Sequence, residues 1–193
     1  MDARVERTRR SLQQALFALA QEQPYDEVTV SDIVDRAGVN RSSFYQHFAD
    51  KETLLAFALE TAADEAGVQL ADLDPLSQDP PPALGSYLTH IQSNAAIYAI
   101  ALGPRGSALV ASRLRARLKL IVRTGILAQG SRPFEGLPLD IASASVTGST
   151  YGIIETWLSM DPRPPVDVAV AWIWQSFGTP SGRWGEREPG RGK

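Results

Sequence analysis

The sequence predicts an all-α fold, and three observations lead to this prediction. Apolar residues recur at helical spacing along most of the chain, as Leu12, Leu16 and Leu19 do near the N-terminus. Breaks that contain proline and glycine separate these segments, and no segment alternates between apolar and polar residues as a half-buried strand does. Side chains that cap helices stand where several of the segments begin. These patterns indicate successive helices joined by short connections.

Length and composition set the broad class of the protein. With 193 residues, the chain can form one large or two small domains with buried cores. Its 44% hydrophobic and 21% charged residues are ordinary for a soluble globular protein. The absence of cysteine excludes disulfides, thiolate zinc sites and cysteine nucleophiles. Since no apolar run approaches the roughly 20 residues of a membrane helix and no signal-peptide pattern occurs, we expect a cytoplasmic protein without a membrane partner.

The segment 29–51 predicts a helix-turn-helix. Thr29 is a good N-cap, and Asp32 is placed to complete a capping box with it. Gly38 follows the first helix of the segment, where a left-handed residue is needed. Asn40 then caps a second helix, and Asp50 offers a cap for a third. Three caps and one glycine in so short a span indicate helices at steep angles around a tight turn.

Helical spacing and the breaks between segments divide the chain into eight predicted helices. Their bounds are 4–22, 30–37, 41–48, 51–71, 83–102, 107–127, 139–160 and 166–177. The helix that begins at Lys51 is long enough to leave the N-terminal bundle and join it to the rest of the chain, and Ser93 and Asn94 mark a break within the fifth helix. We expect a helix-turn-helix domain, a second helical domain and a disordered tail, with the bounds 1–50, 51–178 and 179–193.

The second helix of the motif has two faces. Phe44 and Phe48 are four residues apart, so they share the face that closes a small core. The outward face carries a guanidinium, hydroxyls, an amide and a phenol, which are groups that bind phosphates and base edges. The residues of this face are Arg41, Ser42, Ser43, Tyr45, Gln46 and His47. Tyr45 lies about 100° from Phe44 around the helix, so it is expected to point to DNA rather than into the core.

Charge alone gives no clear indication of a nucleic-acid partner. The net charge of −3 argues mildly against one, although the distribution of charge matters more than its sum. Lys51 begins a helix, where free backbone N–H groups also favour a phosphate. The arginine-rich helix 107–127 is either a second DNA surface or, as we favour, a face whose arginines pair with acids elsewhere. The N-terminal arginines lie along a phosphate backbone or on a solvated face, and they are Arg4, Arg7, Arg9 and Arg10.

The helix 139–160 has one face of small residues. Gly148 and Gly152 are four residues apart and permit close contact between helices. Together with the apolar last helix, this face is either ordinary core or half of a four-helix interface with a second copy. A helix-turn-helix favours the interface, because such modules usually bind paired half-sites as two-fold dimers. The expected interface residues are Ser145, Gly148, Gly152 and Trp172.

Aromatic side chains with polar tips in the C-terminal helices form a candidate pocket for a small molecule. The alternative for each of them is that it fills the core. The candidates are Tyr87, His90, Ile91, Tyr98, Tyr151 and Trp157. With only two histidines and no pattern of acids nearby, we expect neither a metal site nor a cofactor. We expect no enzyme, because the chain has no nucleophile elbow, phosphate loop, HExxH motif or glycine fingerprint.

The N-terminal motif resembles the DNA-binding domain of the TetR family of transcriptional regulators over about residues 8–58. The resemblance rests on TVSDIVDRAGV at 29–39, FYQHF at 44–48 and KETLL at 51–55. It implies a two-domain, all-helical homodimer whose first three helices bind operator DNA. It also implies that the fourth helix links these helices to a C-terminal domain that binds a ligand and forms the dimer.

The same resemblance implies a role for each matching position. Thr29 and Ser31 would meet phosphates. The major groove would be faced by Arg41, Ser42, Ser43 and Gln46, and the backbone would be clamped by Tyr45, His47 and Lys51. Positions 42 and 43 depart mildly from the small residue and threonine that are common in the family, which leaves the operator sequence open. We expect a repressor that a small-molecule effector releases from its operator; the alternatives are an activator or a regulator without an effector.

Overall fold

The computed structural model describes residues 3–70, 79–103, 106–128 and 136–177, and in these ranges it contains helices and no strand. The helices are α1 (Ala3–Glu22), α2 (Val30–Ala37), α3 (Arg41–His47), α4 (Lys51–Leu70), α5 (Pro82–Ser93), α6 (Ala95–Leu102), α7 (Ala108–Ala128), α8 (Leu139–Ser159) and α9 (Val166–Phe177). The all-α prediction is therefore confirmed. The predicted tail 179–193 lies outside the described residues.

The observed helix bounds follow the predicted ones closely, with one difference. A short 3-10 helix, Tyr25–Glu27, occurs between α1 and α2, where no element was expected. The break predicted at Ser93 and Asn94 is present, so the segment 83–102 forms two helices that meet at Asn94. The Asn94 side chain donates to the carbonyl oxygen of His90 at 2.8 Å and so satisfies an acceptor at the end of α5.

The caps that the sequence predicts around α2 and α3 are present. The Asp32 backbone N–H donates to Thr29 Oγ1 at 3.2 Å, and the Thr29 backbone N–H donates to Asp32 Oδ2 at 2.8 Å, which completes the capping box. Gly38 ends α2 with a φ of 67°, in the left-handed region that favours glycine. Asn40 caps α3 by accepting from the Ser43 backbone N–H at 2.7 Å. These bonds fix the angle at which α3 leaves the turn.

A small apolar core holds α1, α2 and α3 together. Leu16 of α1, Ile33 of α2 and Phe44 of α3 are all fully buried, and Leu54 of α4 joins them. Burying side chains of this size stabilises the fold by about 1.5–3 kcal/mol each. Because Phe44 anchors one side of α3, the opposite side of this helix is turned to solvent.

The helix α4 connects this bundle to the C-terminal helices. Its first half packs on α1, and along its length it packs most extensively on α7. Hydrogen bonds join α4 to the α7 region, from Ser107 to Glu52 at 2.8 Å and from Arg113 to Glu60 at 2.6 and 2.9 Å. The linking role predicted for this helix therefore has a physical basis in contacts on both sides.

The C-terminal helices form the second half of the core. Trp157 of α8 and Ile173 of α9 are fully buried, and α8 also packs against α7. Along the described ranges, no helix has both the length and the apolar character that crossing a membrane requires.

Candidate nucleic-acid interface

The outward face of α3 is a continuous polar surface. Arg41, Ser42, Tyr45 and Gln46 are exposed, and 50% of the Tyr45 surface is accessible. The half-buried residues Ser43 and His47 border this surface on its other side. The structure thus brings together the six residues that the sequence assigns to this face. Their contact with DNA stays a prediction.

Arg41 and Tyr45 form a pair on this surface. The Arg41 guanidinium donates to the Tyr45 hydroxyl at 3.4 Å, and its central carbon lies 5.8 Å from the centre of the ring. No carboxylate among the described residues forms an ion pair with Arg41. Residues four apart on a helix are neighbours, so the spacing of Arg41 and Tyr45 is a signal in the sequence for this contact. The pair holds a guanidinium in place with its other donors directed to solvent.

At the start of α2, the hydroxyl groups of Thr29 and Ser31 differ in whether they are already hydrogen-bonded. The Thr29 hydroxyl donates to Asp32 Oδ2 at 2.7 Å, so its hydrogen is used within the capping box. This hydrogen bond, followed by the one from the Thr29 backbone N–H, lowers the pKa of Asp32. Ser31 is exposed and forms no side-chain hydrogen bond within the described part of the chain. Of the two implied phosphate contacts here, Ser31 has the freer hydroxyl.

The environment of Lys51 differs from the expected one. Its ammonium group donates to the carbonyl oxygens of Tyr25 at 2.8 Å and Val28 at 2.7 Å, and it lies 4.2 Å from the centre of the Tyr25 ring. Burial is the main cause that lowers its pKa, against the opposing effects of Asp26 and Glu52. Two of the three ammonium donors therefore hold the α1–α2 connection, and a contact of Lys51 with a phosphate stays a prediction.

The arginines of α7 are held by partners within the chain. Arg113 pairs with Glu60 and Arg117 with Asp64, both on α4, and the Arg115 guanidinium lies 4.3 Å over the Tyr151 ring. These contacts support the favoured interpretation of a paired face rather than a second DNA surface. The N-terminal arginines are more varied. Arg9 lies 5.6 Å from the centre of the Phe57 ring, so its guanidinium is turned partly toward the helix bundle.

Three of the candidate pocket residues lie together where α5 meets α6. The His90 and Tyr98 rings are 5.8 Å apart in an edge-to-face arrangement, and Tyr98 is fully buried. Burial raises the pKa of Tyr98 and of Tyr87, and it lowers the pKa of His90. His90 Nε2 is buried without a hydrogen-bond partner in the described part of the chain, while the Tyr98 hydroxyl interacts with the Tyr87 hydroxyl. Ile91, on the same helix as His90, is buried in the core.

The other two pocket candidates are elsewhere and already have partners. Tyr151 packs under Arg115, and the Trp157 indole N–H donates to the carbonyl oxygen of Pro164 at 2.8 Å. Two open cavities lie along α8, and Trp157 lines the first of them, while none of the other five candidates lines either. Neither of these two cavities is therefore lined by the six residues together. Helical spacing could not show this, because it gives no distance between different helices.

The small-residue face of α8 is accessible. Ser145 and Gly148 are exposed, and Gly152 and Trp172 are half-buried beside a groove of about 420 Å³. A Cβ atom added at Gly148 or Gly152 meets nothing within 4 Å among the described residues. Packing within one chain thus gives no reason for glycine at either position, although glycine in a helix interior costs about 1 kcal/mol relative to alanine.

Comparison with known proteins gives a consistent result. Residues 13–58 match the family model described as bacterial regulatory proteins, tetR family. The chain is 42% identical over 66 residues to an uncharacterized HTH-type transcriptional regulator, YxbF, of Bacillus subtilis; the match covers 34% of this chain and 17% of that protein.

The fold is also similar to solved structures. A crystal structure of a TetR-family regulator from Syntrophomonas wolfei has a TM-score of 0.67 at 17% identity, and the match covers 88% of this chain and 92% of that one. A TetR regulator from Streptococcus agalactiae has a TM-score of 0.59 at 22% identity, with 91% and 96% covered. At these identities the two structures show the fold alone, an N-terminal helix-turn-helix followed by a helical domain.

Proposed function

Because residues 13–58 match the tetR family of bacterial regulatory proteins, we propose that the chain belongs to this family, binds operator DNA as a homodimer and represses transcription. Its relatives are transcriptional regulators, not enzymes. The observation that carries the proposal is the outward face of α3, where Arg41, Tyr45 and Gln46 are exposed on a helix that Phe44 anchors. A helix held in this way presents a rigid set of donors and acceptors to the major groove.

The side chains of this face suit different parts of DNA. Arg41 can donate two hydrogen bonds to guanine, and the amide of Gln46 matches adenine. Tyr45 and His47 lie at the edges of the face and suit phosphate oxygens, as does the free hydroxyl of Ser31. Phosphate contacts position the protein, while base contacts select the sequence.

Selection of bound sequences from random DNA with the purified protein tests the proposal. We expect a two-fold symmetric site whose half-sites are about one helical turn apart. The affinity for this site should fall steeply as salt rises, because bound cationic groups release counterions from DNA. Recovery of no preferred sequence, with an affinity that does not depend on salt, would remove the support for DNA binding.

The dimer is proposed to form through α8 and α9. Gly148 and Gly152 leave room for a close helix approach that nothing in the same chain uses, and Trp172 offers an apolar surface beside them. We expect Gly152→Asp to give monomers in sedimentation and to lower operator affinity. Gly85→Asp, which changes a glycine of α5 that also has nothing within 4 Å of a Cβ, is the matched control and should remain dimeric. If both variants remain dimeric, the interface lies elsewhere.

A small molecule is proposed to release the operator by acting near Tyr87, His90 and Tyr98. The ring nitrogen Nε2 of His90 is buried without a hydrogen-bond partner among the described residues, and the polar hydroxyls of Tyr87 and Tyr98 lie near it. The packing of α5 on α4, and of α4 on α1, provides the route. A coupling of about 1–3 kcal/mol would change operator affinity roughly 5- to 150-fold.

The effector proposal is tested by combining two measurements. A compound panel is first screened for ligands that raise the melting temperature, and each ligand found is then titrated into the operator complex. We expect a ligand that stabilises the protein and lowers operator affinity, and Tyr98→Phe should weaken its binding. Ligands that raise operator affinity would favour a co-repressor, and ligands that bind without changing it would contradict the proposed coupling.

A further inference from the structure

Asn40 determines the direction of the Ser42 hydroxyl. The side-chain Oδ1 of Asn40 accepts from the Ser43 backbone N–H at 2.7 Å and lies 2.8 Å from Ser42 Oγ. A backbone N–H can only donate, so the Asn40 atom that it meets is the amide oxygen rather than the nitrogen. An amide oxygen can only accept. The Ser42 hydroxyl hydrogen must therefore point to Asn40.

This leaves Ser42 with a defined polarity toward solvent. A hydroxyl has one hydrogen and two lone pairs, and the hydrogen is used by Asn40. Ser42 and Gln46 each lie two residues from the buried Phe44, so both point about 160° away from it around the helix. Both side chains are exposed. Ser42 thus presents acceptor lone pairs at the centre of the outward face of α3.

The major groove distinguishes an acceptor from a donor at each base. Adenine and cytosine present exocyclic amino groups, which donate, whereas guanine and thymine present O6 and O4, which accept. A lone pair of Ser42 would form a hydrogen bond with an amino group and would face another lone pair at a keto group. Serine with a freely rotating hydroxyl lacks this preference, because it can present either its hydrogen or its lone pairs.

We propose that Ser42 recognises DNA as an acceptor that Asn40 orients, so that each half-site has one position where adenine or cytosine is preferred over guanine or thymine on the same strand. This inference rests on the proposed DNA binding and adds the polarity of one base contact. Asn40 acts here as a positioning residue, which selects the base without touching it. Turning the hydroxyl toward a keto base requires loss of the bond to Asn40, so we expect a preference of about threefold to tenfold.

Two variants of Asn40 separate orientation from helix capping. Asn40→Gly removes the acceptor and retains a residue that is tolerated as an N-cap. Asn40→Asp keeps an acceptor oxygen at the same place and is the matched control. The wild type, both Asn40 variants and Ser42→Ala are each used to select sequences from random DNA, and the base frequencies at every half-site position are compared. Circular dichroism at rising temperature checks that each variant is folded.

The expected result is a change at one position only. The wild type and Asn40→Asp should prefer adenine or cytosine there, while Asn40→Gly and Ser42→Ala should lose this preference and keep the others. The inference is overturned if Asn40→Gly retains the wild-type pattern, if Ser42→Ala changes no position, or if the position that responds to Ser42 prefers guanine or thymine. Absence of any selected sequence with the wild type would instead count against DNA binding itself.

Discussion

The helices α3 and α7 both carry rows of polar side chains, but the two rows have different partners. On α7, Arg113 and Arg117 are paired with carboxylates of α4, and Arg115 lies over an aromatic ring. On α3, Arg41 contacts the neighbouring Tyr45 and forms no ion pair among the described residues, and the face around it is open to solvent. Two arginines of α7 thus have anionic partners on α4, whereas the single arginine of α3 has none in the described part of the chain.

This difference explains why composition was a poor guide to the partner. The net charge of −3 counts the α7 arginines together with the acids that hold them, so the sum describes neither surface. A phosphate or a base edge meets the local surface, and on α3 no carboxylate of the described residues pairs with the guanidinium. For identifying a DNA-binding surface, it is therefore more informative to know whether a cation already has a partner than how many cations a helix carries.

The largest expected effect is on stability and comes from Lys51, because its ammonium group already has hydrogen-bond partners within the chain. Lys51→Met keeps the alkyl stem and removes both hydrogen bonds to buried carbonyls, so we expect a loss of about 1.5–3 kcal/mol in the free energy of unfolding. In thermal denaturation this corresponds to about 2–4 °C per kcal/mol. Lys119→Met is the matched control, and its effect should stay within about 0.5 kcal/mol.

The outcome for Lys51 also decides between two roles. A loss of stability together with an unchanged dependence of DNA affinity on salt would confirm the structural role. If Lys51→Met is as stable as the control but binds all DNA more weakly, with a salt dependence reduced by about one phosphate contact, Lys51 acts on the backbone as first expected.

The intramolecular contacts of Lys51 show which part of the site the sequence could not predict. The caps of Thr29 and Asn40 were predicted correctly, because each bonds to a backbone N–H three residues away. Lys51 bonds to the carbonyls of Tyr25 and Val28, which lie 26 and 23 residues earlier in the chain. Local spacing contains no information about such distant partners, so a lysine at a helix start looked free.

The same distinction applies to the rest of the fold. Helix bounds depend on proline, glycine and apolar spacing nearby, and most of them could be predicted to within one or two residues. The separation of the pocket candidates into different places could not be predicted, because it depends on how α5, α6 and α8 pack. Tyr151 faces an arginine of α7 and Trp157 a carbonyl beyond α8, and neither contact leaves a mark at short range in the sequence.

The next largest effect is expected for Arg41, whose guanidinium forms no ion pair among the described residues. Arg41→Ala should cost about 1–3 kcal/mol of discrimination at one base pair while affecting binding to random DNA less. Fluorescence anisotropy with the selected site, with single-base variants of it and with random DNA measures this difference. If affinity for all three kinds of DNA falls equally, Arg41 contacts a phosphate, and the guanine contact is wrong.

The smallest effect is expected on α7, where it tests whether an arginine that already has a carboxylate partner contributes to DNA binding. The pair of Arg117 and Asp64 is partly exposed, so Arg117→Ala should lower the free energy of unfolding by no more than about 1 kcal/mol. Because the guanidinium is already held by a carboxylate, we expect no change in affinity for the selected site or for random DNA.

Asp64→Asn is the informative companion, since it leaves Arg117 in place without its anionic partner. If Asp64→Asn strengthens binding to random DNA and steepens its salt dependence, the arginine row is a DNA surface that pairing with α4 conceals. If neither variant changes DNA binding, Arg117 takes no part in it whether or not it has a carboxylate partner, and α7 is not a DNA surface.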